Sequence, residues 1–124
     1  MNNLAAWCFR TAVIYALFGM IMGEIMAASG DHGLIPVHAH INVLGWVSLA
    51  LFGVFYKLWP EAAEGSLAGL QFGLFNAGTV VQAIGVTLIL TGDESFAPVA
   101  AGGSALLILG MAMFAFLVYR HTRS

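Results

Sequence analysis

Charged residues are scarce in this sequence. Of its 124 residues only 8% are Asp, Glu, Lys or Arg, whereas 60% are hydrophobic. A soluble domain carries roughly 25% charged residues, so the deficit excludes an ordinary soluble fold and indicates a lipid bilayer as the surroundings. Four basic residues against six acidic ones also give no basic surface for nucleic acid, and no nucleic-acid partner is expected.

Cysteine is almost absent as well. The chain has one cysteine, Cys8, which excludes an internal disulfide and any CxxC redox or zinc motif. Its position in an apolar surrounding predicts a chemically inert thiol. Only three prolines occur, so long stretches are free of helix breakers.

Four charge-poor apolar runs make up most of the chain, and they cover residues 11–28, 35–58, 67–90 and 97–119. Each is close to the ~20 residues that cross a ~30 Å hydrocarbon core. The sequence therefore predicts one all-α domain over residues 1–124, a polytopic membrane protein built as a four-transmembrane-helix bundle. The first run is expected to stay as a span rather than act as a signal peptide, because Glu24 interrupts its end and it exceeds a usual h-region.

The basic residues predict the orientation of the bundle. All four fall on one side of the predicted spans: Arg10, Lys57, Arg120 and Arg123. The two loops on the other side carry acidic charges only. The positive-inside rule then predicts that both the N and the C terminus are cytoplasmic.

Ionisable side chains cluster at the opposite level, near the predicted outer face. Glu24 lies near the outer end of the first span, His38 and His40 near the outer end of the second, and Asp31 and His32 in the loop between them. Intramembrane ionisable residues mark functional sites by default. The alternative for His38 is a hydrogen bond to a neighbouring helix, and the alternative for His40 is a position in interfacial water; Glu24 can serve simply as the acceptor of a hydrogen bond from either histidine.

The spacing of the histidine pair restricts the kind of site. A helix turns about 100° per residue, so positions 38 and 40 point about 200° apart and cannot bind one metal ion together on an unbroken helix. Two histidines that point in opposite directions suit two separate sites, one of which faces a neighbouring subunit. They also suit one large cofactor on each side of the helix. Haem is such a cofactor, and histidine is a frequent axial ligand.

The stretch "HAHINVLGWVSLALFG" (38–53) resembles the tenth helix of the catalytic subunit of haem–copper oxidases and nitric oxide reductases. There the H-x-H pair binds the high-spin haem with one histidine and the low-spin haem with the other, from opposite faces of the helix. The stretches "DHGLIPVHAHINVLGW" and "LFGVFYKLWP" also resemble short four-helix bacterial membrane proteins named after this subunit. The resemblance implies haem b as the cofactor, His38 and His40 as its ligands, and a bacterial cytoplasmic (inner) membrane location.

The large oxidase subunit consists of three pseudo-repeats of four helices, and this chain resembles one repeat. That resemblance implies a homotrimer. Small-residue spacing permits close helix approach in lipid and independently favours an oligomer; it occurs at Gly19–Gly23, at Gly69, Gly73 and Ala77, and at Gly102, Gly103 and Gly110. Spans one, three and four contain no histidine, so one chain lacks the complete ligand set of an oxidase, and catalytic turnover is left open.

Three functional hypotheses follow. The first is a membrane haem protein, serving electron transfer with a redox protein partner or binding a diatomic gas, with Trp46 packed either on the macrocycle or in the core. The second is a copper- or zinc-binding protein for sensing or metal delivery, using His38 or His40 with His32, Glu24 and Asp31. The third is a cofactor-free accessory subunit of a respiratory complex. Asn42, Asn76, Thr79 and Gln82 are predicted to form interhelical hydrogen bonds rather than to line a channel.

Overall fold

A computed structural model describes residues 3–123 of the chain. Its four long helices are α1 (Leu4–Ser29), α2 (Ile35–Leu58), α3 (Ser66–Leu90) and α4 (Ala97–His121). Each is long and apolar enough to cross a bilayer, and no strand occurs within residues 3–123. The predicted all-α architecture with four spans is confirmed, and it fits a multi-pass membrane protein.

The helix boundaries follow local signals in the sequence. α1 ends at Gly30, whose φ of 73° is the left-handed conformation that glycine adopts readily and whose N–H donates to the Met26 carbonyl. α1 begins at Leu4, well before the predicted residue 11, because Arg10 does not interrupt a helix when its long side chain can extend toward water. Short 3₁₀ turns, Pro60–Ala63 and Glu94–Phe96, follow α2 and precede α4.

The bundle has two distinct ends. The histidine end comprises the loops at residues 30–34 and 91–96, and the basic end comprises the loop at residues 59–65 with the start of α1 and the end of α4. All four basic residues lie toward the basic end, as the sequence predicts.

Glycines let α1 and α2 pack closely at the histidine end. A Cβ placed on Gly23 would lie 3.0 Å from Cε1 of His38, and one placed on Gly19 would overlap the amide of Asn42. The GxxxG pair of α1 therefore receives two polar side chains of α2 within the same protomer.

The same pairing continues toward the basic end with the roles of the helices exchanged. The ring of Tyr15 lies against Gly45, and Cys8 lies against Gly53, where an added Cβ would come within 3.2 Å of the Cys8 Cβ. Cys8 is fully buried in this contact. These contacts set the relative depth of the side chains: Tyr15 lies about two turns along α1 from Gly23, the residue that His38 covers.

α3 and α4 form the second close pair, again through glycine. A Cβ on Gly85 would lie 2.5 Å from the Ala100 backbone nitrogen, and one on Gly78 would lie 2.9 Å from the Gly103 carbonyl. A Cβ on Gly103 would overlap the backbone of Gln82. These helices approach each other nearly backbone to backbone, which is the packing that small residues permit in lipid.

The small residues that pack α3 are not the ones that the spacing pattern singled out. Gly69 and Gly73 face open space, with no atom of the protomer within 4 Å of an added Cβ, and Ala77 is exposed. Gly102 on α4 also faces open space. These small residues therefore do not pack helices within the protomer, and the oligomer contact that their spacing favours stays a prediction.

The two helix pairs meet in an aromatic cluster near the basic end. The ring of Phe114 on α4 lies 4.3 Å from that of Phe52 and 5.1 Å from that of Phe55, both on α2. Phe52 in turn contacts Phe75 of α3 edge to face at 4.9 Å, and Tyr56 completes the cluster. The largest fully buried side chains of the protein are concentrated there.

The middle of α2, Ile41–Ser48, is π-helical and begins directly after His40. From Val37 to Gly53 a buried position recurs every four residues (Val37, Ile41, Gly45, Leu49 and Gly53), and Phe52, Phe55 and Tyr56 widen the buried face near the basic end. In an α-helix, positions four apart drift by about 40° per step around the axis. The wider π turn holds more residues per turn and offsets this drift, so that both ends of α2 present one continuous face to the bundle.

Candidate functional site

His38 lies inside the α1–α2 contact. Its ring covers Gly23, and its Nε2 lies 3.3 Å from the amide nitrogen of Asn42, one turn further along α2. Its Nδ1 is buried and has no hydrogen-bond partner within residues 3–123. If the Asn42 amide donates to Nε2, the imidazole proton resides on Nδ1 as a buried donor without an acceptor.

His40 lies on the exposed surface of α2. Its Nδ1 is 2.6 Å from the carbonyl oxygen of Pro36, so Nδ1–H donates to that carbonyl and leaves the Nε2 lone pair free. Metal-bound histidines almost always have this arrangement, in which the second ring nitrogen donates to a carbonyl or carboxylate and fixes the ring. The ring of His40 is therefore fixed by its own helix, and its open Nε2 faces away from the protomer.

The two histidines thus separate as the H-x-H spacing predicts. His38 is half-buried against α1, whereas His40 is exposed. The space beside His38 is filled by Gly23 and Asn42, so this position does not fit a macrocycle between α1 and α2. His40, by contrast, is exposed, and its Nε2 is open to a group outside the protomer.

Glu24 shares the level of His38 but not its face. It is exposed and lines a shallow recess with Leu17, Ile21 and Ala28, on a face of α1 that points away from α2. Within residues 3–123 no hydrogen bond joins Glu24 to either histidine. The rise per residue of a helix predicts that Glu24 and His38 lie at the same depth. The direction of the Glu24 side chain depends instead on which face of α1 packs on α2.

Asp31 and His32 are exposed in the loop that joins α1 to α2. Asp31 Oδ1 accepts a hydrogen bond of 3.0 Å from the Gly33 N–H, and His32 Nδ1 donates to the Gly30 carbonyl at 3.0 Å. Both side chains therefore fix the local turn. Neither caps α2, whose N-cap residue Leu34 makes no side-chain bond.

No group of three or more His, Cys, Asp or Glu side chains within residues 3–123 is placed to hold a metal ion. The ligands proposed for copper or zinc are consequently distributed over different faces in the protomer. A haem iron can be held by a single imidazole from a chain, whereas a copper or zinc site needs several side chains close together.

Trp46 projects from the π-helical segment and is 39% exposed. The interpretation of Trp46 as a core residue is therefore wrong within the protomer. Its indole remains available on the outside of α2, one to two turns from His40 toward the basic end.

A groove of about 310 Å³ lies between the helix pairs at the level of the histidines. Its walls are apolar except for one threonine, and they comprise Phe18, Met22, Val37, Ile41, Ala83, Ile84, Thr87 and Leu88. Neither His38 nor His40 lines it, so this groove is separate from the histidine site.

Two of the four polar residues in the spans form the predicted interhelical bonds. Tyr15 donates to Asn76 Oδ1 at 3.1 Å, which joins α1 to α3, and Gln82 donates to Ser104 at 2.7 Å, which joins α3 to α4. Thr79 instead donates to the carbonyl of its own helix, and Asn42 contacts His38 on its own helix. The prediction is wrong for these two.

One polar contact was not predicted from the sequence. Gln71 is fully buried and accepts a hydrogen bond of 2.8 Å from Tyr56, while its Nε2 has no partner within residues 3–123. In the sequence, only the presence of a glutamine inside an apolar run indicates that a buried polar contact forms here. The contact ties α2 to α3 beside the aromatic cluster.

Comparison with known proteins gives no relative for this arrangement. No protein-family model, no curated protein and no solved structure matches the chain.

Proposed function

We propose that this chain is a multi-pass membrane haem protein in which His40 is an axial ligand. The observation that carries the proposal is the hydrogen bond from His40 Nδ1 to the Pro36 carbonyl, 2.6 Å long, on an exposed face of a membrane-spanning helix. An ionisable side chain exposed at this depth is costly in lipid unless it has a partner. An iron centre bound at Nε2 supplies one.

The surroundings of His40 define the roles of its neighbours. The Pro36 carbonyl fixes the ring orientation and leaves Nε2 as the open nitrogen of the ring. Trp46 offers an exposed aromatic surface further along the same helix. When bound, the haem supplies an iron that exchanges one electron or binds a diatomic gas.

His38 has a positioning role in this proposal. Its ring, together with Asn42, fills the notch at Gly19 and Gly23 and so holds the histidine end of α2 against α1. Changing His38 is expected to loosen the support of His40 without removing the iron ligand itself.

Because His40 faces outward, the proposed haem lies between protomers. A homotrimer, as the resemblance to one repeat of the oxidase subunit implies, gives each His40 a neighbouring chain. Exposed small residues on α3, Gly69 and Gly73 with Ala77, leave room for a second helix to approach.

The proposed topology places both termini in the cytoplasm of a bacterium and the histidine end near the outer face of its inner membrane. The basic residues at the opposite end support this by the positive-inside rule. A redox protein partner then reaches the haem from the outer side.

The test is the visible spectrum of the detergent-purified protein, with iron, copper and zinc measured on the same sample. We expect a Soret band that H40A loses, and that H38A and H121A retain. His121 is a matched control because its Nδ1 makes the same type of bond, 3.0 Å to the Leu117 carbonyl, at the other end of the bundle. A Soret band unchanged in H40A, or copper or zinc in place of iron, would refute the proposal.

A further inference from the structure

The end of α4 and the residues just after it carry a cationic and aromatic face. Phe116, Tyr119 and Arg120 lie on the last turns of α4, Arg123 follows the C-cap residue Thr122, and the four line a recess of about 270 Å³. Leu117, on the other side of the helix, is buried in the bundle. The recess therefore opens away from the protein, at the membrane boundary of the basic end.

Positive charge in this recess is not neutralised by its walls. Among the described residues no acidic side chain lines it. The Arg120 guanidinium lies 5.9 Å from the centre of the Phe116 ring. This contact holds Arg120 along the helix and leaves its N–H groups free, and guanidinium N–H groups bind phosphate oxygens in a bidentate manner.

The depth of the face selects the class of ligand. Arg120 lies in the last turn of a 25-residue helix and Arg123 just beyond its end, where hydrocarbon meets water, whereas Phe116 lies one turn deeper and is 53% exposed. A ligand that matches both levels has an anionic head and an apolar chain. We propose that this recess binds an anionic phospholipid, with its phosphate on Arg120 and Arg123 and an acyl chain along Phe116.

The start of α1 offers an internal comparison. Arg10 lies 5.1 Å from the Trp7 ring, and the two line another recess at the basic end with Thr11 and Ile14. That recess contains one cation rather than two. It is expected to attract anionic lipid more weakly, since each basic side chain near the surface adds a similar increment.

The experiment is a lipid titration of the full chain in detergent, followed by native mass spectrometry. The probes are dioleoylphosphatidylglycerol, dioleoylphosphatidylcholine and inorganic phosphate. We expect phosphatidylglycerol to bind at least about tenfold more tightly than the other two, and R120Q/R123Q to lose about 25-fold, or about fivefold for each arginine. The control R10Q/K57Q removes the same charge from the same end and is expected to lose less than about threefold at physiological salt.

Three results would overturn the proposal: equal losses in the two double variants, equal binding of the two lipids, or binding of inorganic phosphate as tight as that of phosphatidylglycerol. Far-UV circular dichroism verifies that each variant is folded. If R120Q/R123Q does not fold, the single variants R120Q and R123Q are titrated instead. Each is then expected to lose about fivefold, and no loss in either contradicts the proposal.

Discussion

The imidazole of His38 lies directly over Gly23, with its Cε1 3.0 Å from the position that a Cβ on residue 23 would occupy. The contact makes a glycine on α1 and a histidine on α2 a complementary pair. Gly23 is the second glycine of the GxxxG motif, and the contact explains why a residue without a side chain stands there: a Cβ would crowd the His38 ring of the same protomer. The contact also distinguishes His38, whose ring packs against α1, from His40, whose ring is bonded only to its own helix and is exposed.

Substitution of Gly23 by leucine is expected to destabilise the protomer by about 1–3 kcal/mol, because the added side chain must displace the His38 ring or separate α1 from α2. The measurement is the free energy of unfolding in mixed micelles at a low protein-to-detergent ratio. Gly73→Leu is the matched control, since nothing lies within 4 Å of its Cβ position, and its change is expected to stay within about 0.5 kcal/mol. Equal effects of the two substitutions would contradict this packing.

Adjacent glycines on α4 give a sharper comparison. Gly103→Ala is expected to reduce the free energy of unfolding by about 1–3 kcal/mol, because its Cβ would overlap the backbone of Gln82, which cannot rotate away. Gly102→Ala adds the same atom in open space and removes the flexibility of glycine, so stability should stay equal or rise by up to about 1 kcal/mol. The same unfolding measurement distinguishes them, and the reverse order would mean that α4 is rotated on α3.

The spans were predictable because their length and apolar composition reflect the thickness of a bilayer. The common depth of Glu24 and His38 was predictable as well, because the rise per residue is fixed within helices joined by a short loop. The opposed directions of His38 and His40 likewise follow from helix geometry alone.

The packing faces were not predictable in the same way. In lipid both the protein-facing and the lipid-facing sides of a helix are apolar, so periodicity does not tell them apart. For this reason the sequence does not tell whether the small residues at Gly69 and Gly73 contact the same protomer or another one, and it gives no direction for the Glu24 side chain. No sequence pattern predicts the π-helical segment 41–48. It keeps the buried face of α2 directed at the neighbouring helices along the whole length of α2.

The hydrogen bond between Tyr56 and Gln71 is expected to stabilise the basic end. Tyr56→Phe leaves the buried Gln71 amide without its remaining partner, which should cost about 1–3 kcal/mol of unfolding free energy. The double variant Y56F/Q71L removes both polar groups and is expected to recover most of the loss. If the double variant is as unstable as Y56F, the cost comes from packing rather than from an unpaired amide.

The aromatic cluster should control the association of the two helix pairs. Phe114 contacts rings on α2, and Phe114→Ala leaves a cavity among Phe52, Phe55 and Tyr56. Because lipid is as apolar as the side chain removed, only the packing part of the usual loss applies, and we expect about 1–3 kcal/mol rather than the 3–5 kcal/mol typical of soluble cores.

Phe116 provides the control for this prediction, since it lies two residues further along α4 and is 53% exposed. Phe116→Ala is expected to change the free energy of unfolding by less than about 0.5 kcal/mol in detergent without added lipid. Crosslinking between engineered cysteines on α2 and α4 reports the association directly and should fall only in Phe114→Ala. Unchanged crosslinking there would mean that the α3–α4 pair is held to α2 chiefly by other contacts, such as the Tyr15–Asn76 and Tyr56–Gln71 hydrogen bonds.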